Sequence, residues 1–86
     1  MANQKEMMQL QAQLQAQPVL SERGFRFELA GPEELAVFRG QHLRALWRCA
    51  HGSFTWTPSG YTEPIHSVRD PGAALRYTLV ALATSD

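Results

Sequence analysis

The chain has 86 residues, 44% of them hydrophobic, and its eight basic and eight acidic side chains give a net charge of zero. This length allows one domain, and the hydrophobic content suffices for a small core and is too high for a disordered chain. Zero net charge argues against a dedicated nucleic-acid-binding protein, which usually carries a positive excess. It also removes the repulsion that keeps small proteins apart, so we expect self-association and a homodimer.

Cysteine content and hydropathy exclude further classes of protein. Cys49 is the only cysteine, which excludes an internal disulfide framework and a cysteine-rich zinc site. No stretch approaches the ~18 apolar residues of a membrane span, and the N-terminus has no apolar signal segment, so we expect a cytoplasmic protein. Arginine outnumbers lysine seven to one, which we interpret as a bacterial or phage coding background.

Residues 1–18 form a glutamine-rich segment of good helix formers that ends at Pro18. Its apolar stripe predicts either a frayed or docked helix or a short dimerisation helix, and the rest of the chain, residues 19–86, forms the α+β domain. The stripe consists of Met7, Leu10 and Leu14. Clean alternation over residues 25–29, with breakers on both sides, predicts a half-buried strand.

The central segment, residues 31–51, predicts the main helix. Pro32 suits a first helical position, two glutamates follow it, and Gly52 is placed to end the helix near Ala50. Gly40 weakens the middle of this helix and marks a kink or a close contact. Two polar residues, Arg39 and His42, fall on the expected buried face and predict a polar core.

The remaining elements are a hairpin and a terminal segment. Residues 53–57 and 61–68 predict two strands around a Pro-Ser-Gly turn, with Pro64 at an edge or a bulge. Residues 72–83 favour a helix with Asp70 as its cap, although a fourth strand is the alternative. The expected fold is therefore α+β, in the order α-β-α-β-β-α, with a mainly antiparallel three-stranded sheet and helices on one face.

Catalytic and metal sites have weak support in this sequence. The chain's histidines and Cys49 show no metal-ligand spacing, so we expect no metal and no cofactor. Cys49 with a histidine could form a nucleophilic pair, but a cysteine on the apolar face of a helix, near its negative end, lacks the positive and open surroundings of a reactive thiol. We therefore expect that the protein is not an enzyme.

Two surfaces could bind a partner. The first is a locally basic helix face formed by Arg39, Arg44 and Arg48, which could contact phosphates or an acidic protein surface. The second is the far side of the terminal helix, which is apolar as well. We predict a small protein–protein interaction module, with a nucleic-acid-binding regulator as the alternative. The expected contact residues are Arg44, Trp47, Arg48, Tyr61, Tyr77 and Val80.

Overall fold

The computed structural model describes residues 2–84, with side chains from residue 4 onward, so residue 1 of the predicted first helix and residues 85–86 lie outside it. Within that range, five antiparallel strands form one sheet in chain order, accompanied by three helices. The helices are α1 (Ala2–Gln15), α2 (Pro18–Glu22) and α3 (Pro71–Ala83). The strands are β1 (Phe25–Gly31), β2 (Glu34–Arg39), β3 (His42–Ala50), β4 (Ser53–Pro58) and β5 (His66–Val68).

The predicted three-stranded sheet and the order α-β-α-β-β-α are wrong, because the observed order is α-α-β-β-β-β-β-α. The error lies in the central segment, where β2 and β3 form a hairpin in place of the expected helix over residues 32–50. Apolar residues on both faces of this hairpin obscure the alternation typical of a half-buried strand. The same spacing of apolar residues is compatible with a broad helical face.

The turns explain why the central segment folds as strands. Gly40 has φ +63° at the first position of the two-residue turn between Arg39 and His42, as a type II′ hairpin turn requires. His51 and Gly52 both have positive φ, +53° and +77°, between the paired ends of β3 and β4. Positive φ at both central positions is the requirement of a type I′ turn. Gly40, interpreted as a helix kink, and Gly52, interpreted as a helix terminator, therefore lie in hairpin turns.

The rest of the chain follows the expectations more closely. The first strand and the first helix form where predicted, and the C-terminal helix is confirmed, so the alternative of a fourth strand there is wrong. Asp70 caps α3 by accepting a hydrogen bond from the Ala73 amide at 2.8 Å. The predicted strand over 61–68 shortens to β5, because residues 59–65 form a loop that begins at a turn with Gly60 at φ +91°.

The hydrophobic core lies between one face of the sheet and the helices α1 and α3. The apolar stripe of α1 is fully buried there, with 0% exposure for each of its three residues, Met7, Leu10 and Leu14. Strand alternation and pairing place the following sheet residues on the same side: Phe25, Phe27, Leu35, Val37, Ala45, Trp47, Cys49, Phe54 and Trp56.

Among residues 2–84, no helix packs on the opposite side of the sheet, which we call the open face. By the same alternation and pairing it consists of Arg26, Glu28, Glu34, Ala36, Phe38, Leu43, Leu46, Arg48, Thr55, Thr57 and Ser67.

Candidate binding surface

The three arginines of the predicted basic face do not share a surface, and the helix that would have aligned them does not form. Arg39 lies on the helix side, where its guanidinium is 5.5 Å from the Phe25 ring centre. Arg44 is the extra residue of a bulge in β3 and lines a groove beside α3. Arg48 lies on the open face. The continuous basic helix face predicted from the sequence is therefore wrong.

Two of the predicted aromatic contact residues belong to an internal cluster. Trp47 has 0% exposure, and its indole Nε1 donates a hydrogen bond of 2.8 Å to the Thr78 hydroxyl of α3. Tyr77 packs edge-on against Trp47 and Trp56, and its other neighbour, His66, stacks on its ring at a centroid distance of 4.0 Å. These rings fill the space between α3 and the sheet, so we leave Trp47 and Tyr77 out of any binding surface.

The other predicted site residues lie at or near the surface, at several places in the fold. His42 is exposed and Arg39 is partly exposed at the β2–β3 turn, so neither belongs to the core. Tyr61 is 60% exposed in the loop after β4, and Val80 is 66% exposed on α3. Of the six predicted contact residues, the structure brings Trp47 and Tyr77 together in the internal aromatic cluster and Arg48 and Tyr61 together in one groove of the open face.

Cys49 lies at the buried side of β3, and its thiol is shielded from solvent. Burial raises the pKa of the Cys49 thiol, and the negative charges of Glu6 and Glu33 raise it further. A thiol with a raised pKa is a poor nucleophile at neutral pH. Among the side chains from residue 4 to residue 84, no three histidines, cysteines or carboxylates converge as a metal site would require.

On the edge of the sheet at β1, one outward carbonyl is capped by side chains of α1. The Cys49 amide donates a hydrogen bond to the Glu33 carbonyl, and this bond fixes which backbone groups of β2 face β3 and which face β1. Continuing the same alternation into β1, the Phe27 carbonyl points away from β2, toward the free edge of the sheet. The side-chain amides of Gln11 and Gln15 both donate to this carbonyl, at 2.9 and 3.0 Å. The glutamines of α1 thus cover an edge that would otherwise offer a template for strand pairing.

The other edge is protected by its brevity. β5 has only three residues, His66–Val68, and prolines at positions 64 and 71 bracket it. A short edge strand near proline offers few backbone groups to a foreign strand. Because one edge is capped by glutamine side chains and the other is short, the open face is the broadest surface of the sheet that remains accessible.

The open face has an apolar centre. Phe38 and Leu43 face each other across β2 and β3, and Ala36 and Leu46 form the next pair. Leu43 is 44% exposed. Phe38 and Leu46 are partly exposed and Ala36 is buried, so Leu43 is the exposed member of a contiguous apolar surface. Contiguous apolar surfaces mark interaction sites more often than scattered single residues do.

A groove runs along the open face between the apolar centre and the loop of residues 59–65. Its cavity volume is about 370 Å³, within the range of pockets that hold small ligands or single peptide segments. Leu43 and Leu46 line it from β3, Thr55 and Thr57 line it from β4, and Tyr61 lines it from the loop. The loop residue Ile65, which does not line the groove, is 53% exposed.

Charges on the open face are paired within the face itself. Arg26 forms an ion pair with Glu28 on β1, and the Arg48 Nε donates to the Glu34 carboxylate at 2.9 Å. Exposed pairs of this kind contribute little to stability, but they neutralise the surface. The face is therefore apolar at its centre and without net charge around it.

The sequence interpretation missed the apolar centre and the two threonines as members of one surface. In a helix, Leu43 and Leu46 belong to a core face, whereas in β3 they point away from the core. The available signal was the alternation of Ala45, Trp47 and Cys49 with Leu46 and Arg48, which is compatible with period two.

Comparisons with protein-family models, with curated proteins and with solved structures found no match for this chain. Across residues 2–84, no helix combines the length and hydrophobicity that a membrane crossing demands.

Proposed function

We propose that the protein is a non-catalytic protein–protein interaction module that docks a partner protein on its open face. The observation that carries this proposal is the groove in an otherwise bare sheet face, bordered by the half-exposed Leu43 and the exposed Tyr61. Apolar and aromatic side chains at the centre of a neutral surface are the usual anchors of protein interfaces.

The size of the face indicates the strength of binding. Five strands about 4.8 Å apart and about 20 Å long give a flat area on the order of 500 Å², below the ~800 Å² per partner of a standard interface. Covering the exposed part of Leu43 contributes about 1 kcal/mol. A partner on this face would bind weakly or transiently unless its contacts extended beyond the sheet.

The support for self-association is smaller in the structure than in the sequence. The apolar stripe of α1 is in the core, and on the far side of α3 Tyr77 belongs to the aromatic cluster while Val80 stays 66% exposed. Zero net charge remains. We therefore propose the module without restricting its partner to a second copy.

The nucleic-acid alternative has less support than protein binding. Its three arginines are distributed over both sides of the sheet, and Arg48 is the only one of them on the open face. Phosphate binding needs cations that gather on one surface. No cluster of that kind lies on the described open face.

A photo-crosslinking experiment in the source cells tests the proposal. Benzoylphenylalanine replaces Tyr61, an exposed aromatic residue at the groove, and in a control variant it replaces Met8, which is 51% exposed on α1. We expect a discrete protein adduct from position 61. An excess of unlabelled wild-type protein should suppress this adduct, whereas an excess of the Leu43→Glu variant should not. Equal adducts from positions 61 and 8, no adduct from either, or an adduct to nucleic acid would overturn the proposal.

A further inference from the structure

The groove contains a single formal charge. Its lining comprises aliphatic, hydroxyl, proline and aromatic residues, and Arg48 is the one ionisable cation among them. The Arg48 side chain is 61% exposed, and Glu34, which accepts from its Nε, is not a lining residue. The groove thus has leucines on β3, hydroxyl residues on β4 and the loop, and the ion-paired Arg48 guanidinium at the end away from Leu43.

We propose that the segment entering this groove is a short, extended peptide of a partner protein that carries two apolar side chains and, at one end, a carboxylate, and that Arg48 binds this carboxylate. The inference rests on the proposed function and names the chemistry of the partner. Its basis is charge complementarity: Glu34 engages Arg48 through the Nε atom, so a second carboxylate could bind through the Nη atoms, whereas a cationic segment would place its charge against the guanidinium.

The geometry of β3 sets the length of the segment. Leu43 and Arg48 lie at opposite ends of the apolar row, with Leu46 between them on the same face. At ~3.3 Å per residue this row is about 15 Å long, so about five extended residues span it. Alternate residues of such a segment would point toward the sheet, one carboxylate toward Arg48 and two apolar side chains toward the leucines.

The ion pair with Glu34 prepares Arg48 for this role. Glu34 is bonded to the Nε atom at 2.9 Å, which orients the planar guanidinium. A guanidinium has four more N–H donors, on its two Nη atoms, and this arrangement matches the two oxygens of a carboxylate. Across the strand pair, the Thr55 and Thr57 hydroxyls stand opposite Arg48 and Leu46, where they can bond the peptide backbone.

The test titrates the ¹⁵N-labelled full chain with acetyl-Glu-Ser-Leu-Ser-Leu-amide and follows backbone amide shifts. We expect shifts concentrated at the amides of β3, β4 and the 59–65 loop, and binding about tenfold weaker when Gln replaces Glu in the peptide, the factor that ~1.4 kcal/mol represents. In Arg48→Glu, a peptide with Lys in place of Glu should bind better than the Glu peptide.

A matched variant separates local recognition from overall charge. Arg76→Glu makes the same charge change on the exposed side of α3 and should keep the preference for the Glu peptide. Arg48→Gln, in case Arg48→Glu perturbs the fold, should bind the Glu and Gln peptides equally. Shifts confined to the helix side, equal binding of the Glu and Gln peptides by wild type, or loss of the preference in Arg76→Glu would overturn the inference. A position-61 protein adduct obtained despite such results would leave the proposed function standing.

Discussion

The hydrogen bond between Trp47 and Thr78 provides the sharpest test of how α3 docks on the sheet. The Thr78 hydroxyl accepts from the indole Nε1 at 2.8 Å and donates to the Ala74 carbonyl at 2.7 Å, and both residues are fully buried. Thr78→Val keeps the shape of the side chain and removes the acceptor. The buried indole N–H then has no partner within reach.

The expected cost follows from this geometry. Leaving a buried donor unsatisfied costs about 1–3 kcal/mol, and the additional methyl group recovers less than 1 kcal/mol. We expect the free energy of unfolding to fall by about 1–2 kcal/mol. In a domain of this size that corresponds to a lower Tm by about 5–15 °C, measurable by urea titration and by thermal denaturation followed by circular dichroism.

Thr84→Val is the matched control, because the Thr84 hydroxyl also bonds backbone carbonyls of α3 but is exposed. Its effect should stay within about 0.5 kcal/mol. Thr78→Ser should retain the bond and lose about 1 kcal/mol for the missing methyl group. If Thr78→Val were as stable as Thr84→Val, the Trp47 indole would not depend on this acceptor, and the docking of α3 described above would be refuted.

Three further predictions concern the sheet edge, the thiol and the oligomeric state. Replacing both Gln11 and Gln15 with alanine should lower the free energy of unfolding by about 1–2 kcal/mol and accelerate aggregation measured by light scattering. Either single replacement should change little, because the other amide still covers the Phe27 carbonyl. A double variant with unchanged stability and aggregation would contradict the edge-capping role. The Cys49 thiol should react with Ellman's reagent only as fast as the chain opens and at once in denaturing urea; rapid stoichiometric reaction of the native protein would contradict its burial. Self-association predicts a dimer mass in light scattering that is insensitive to salt and is lost in Leu43→Glu, and a monomer at the highest concentration would remove that prediction.

Local signals determined several elements correctly. The alternation of residues 25–29, the helix formers of the first segment and the Asp70-Pro71 start of α3 all gave the observed element type. Each of these signals depends on neighbours in the sequence, such as capping, proline geometry or strict alternation. They were sufficient wherever an element has one clearly buried face.

The central hairpin was not predicted, because the information that distinguishes it from a helix comes from residues that are far apart in the sequence. Two-residue turns at Gly40 and at His51-Gly52 are decisive only when the flanking segments pair, and His-Gly is a weaker turn signal than Asn-Gly. Burial of Leu35, Ala36 and Val37 in succession arises because the sheet buries part of both its faces. A single-sequence pattern cannot distinguish that arrangement from a helix with a wide apolar side.

The feature that misled the sequence interpretation is the same one that supports the proposed function. A sheet used only as a platform for helices would carry polar residues on its free side, and the alternation in β2 and β3 would then have been plain. This chain instead places Phe38, Leu43 and Leu46 on that side. Phe38 and Leu46 are partly buried there, whereas Leu43 is 44% exposed, and leaving that part of Leu43 in water contributes nothing to the fold. The proposed docking surface would give this exposed leucine a role. Polar replacement of Leu43 should accordingly leave the free energy of unfolding within about 0.5 kcal/mol of wild type while abolishing partner binding, and a large loss of stability would instead assign this apolar centre to the fold.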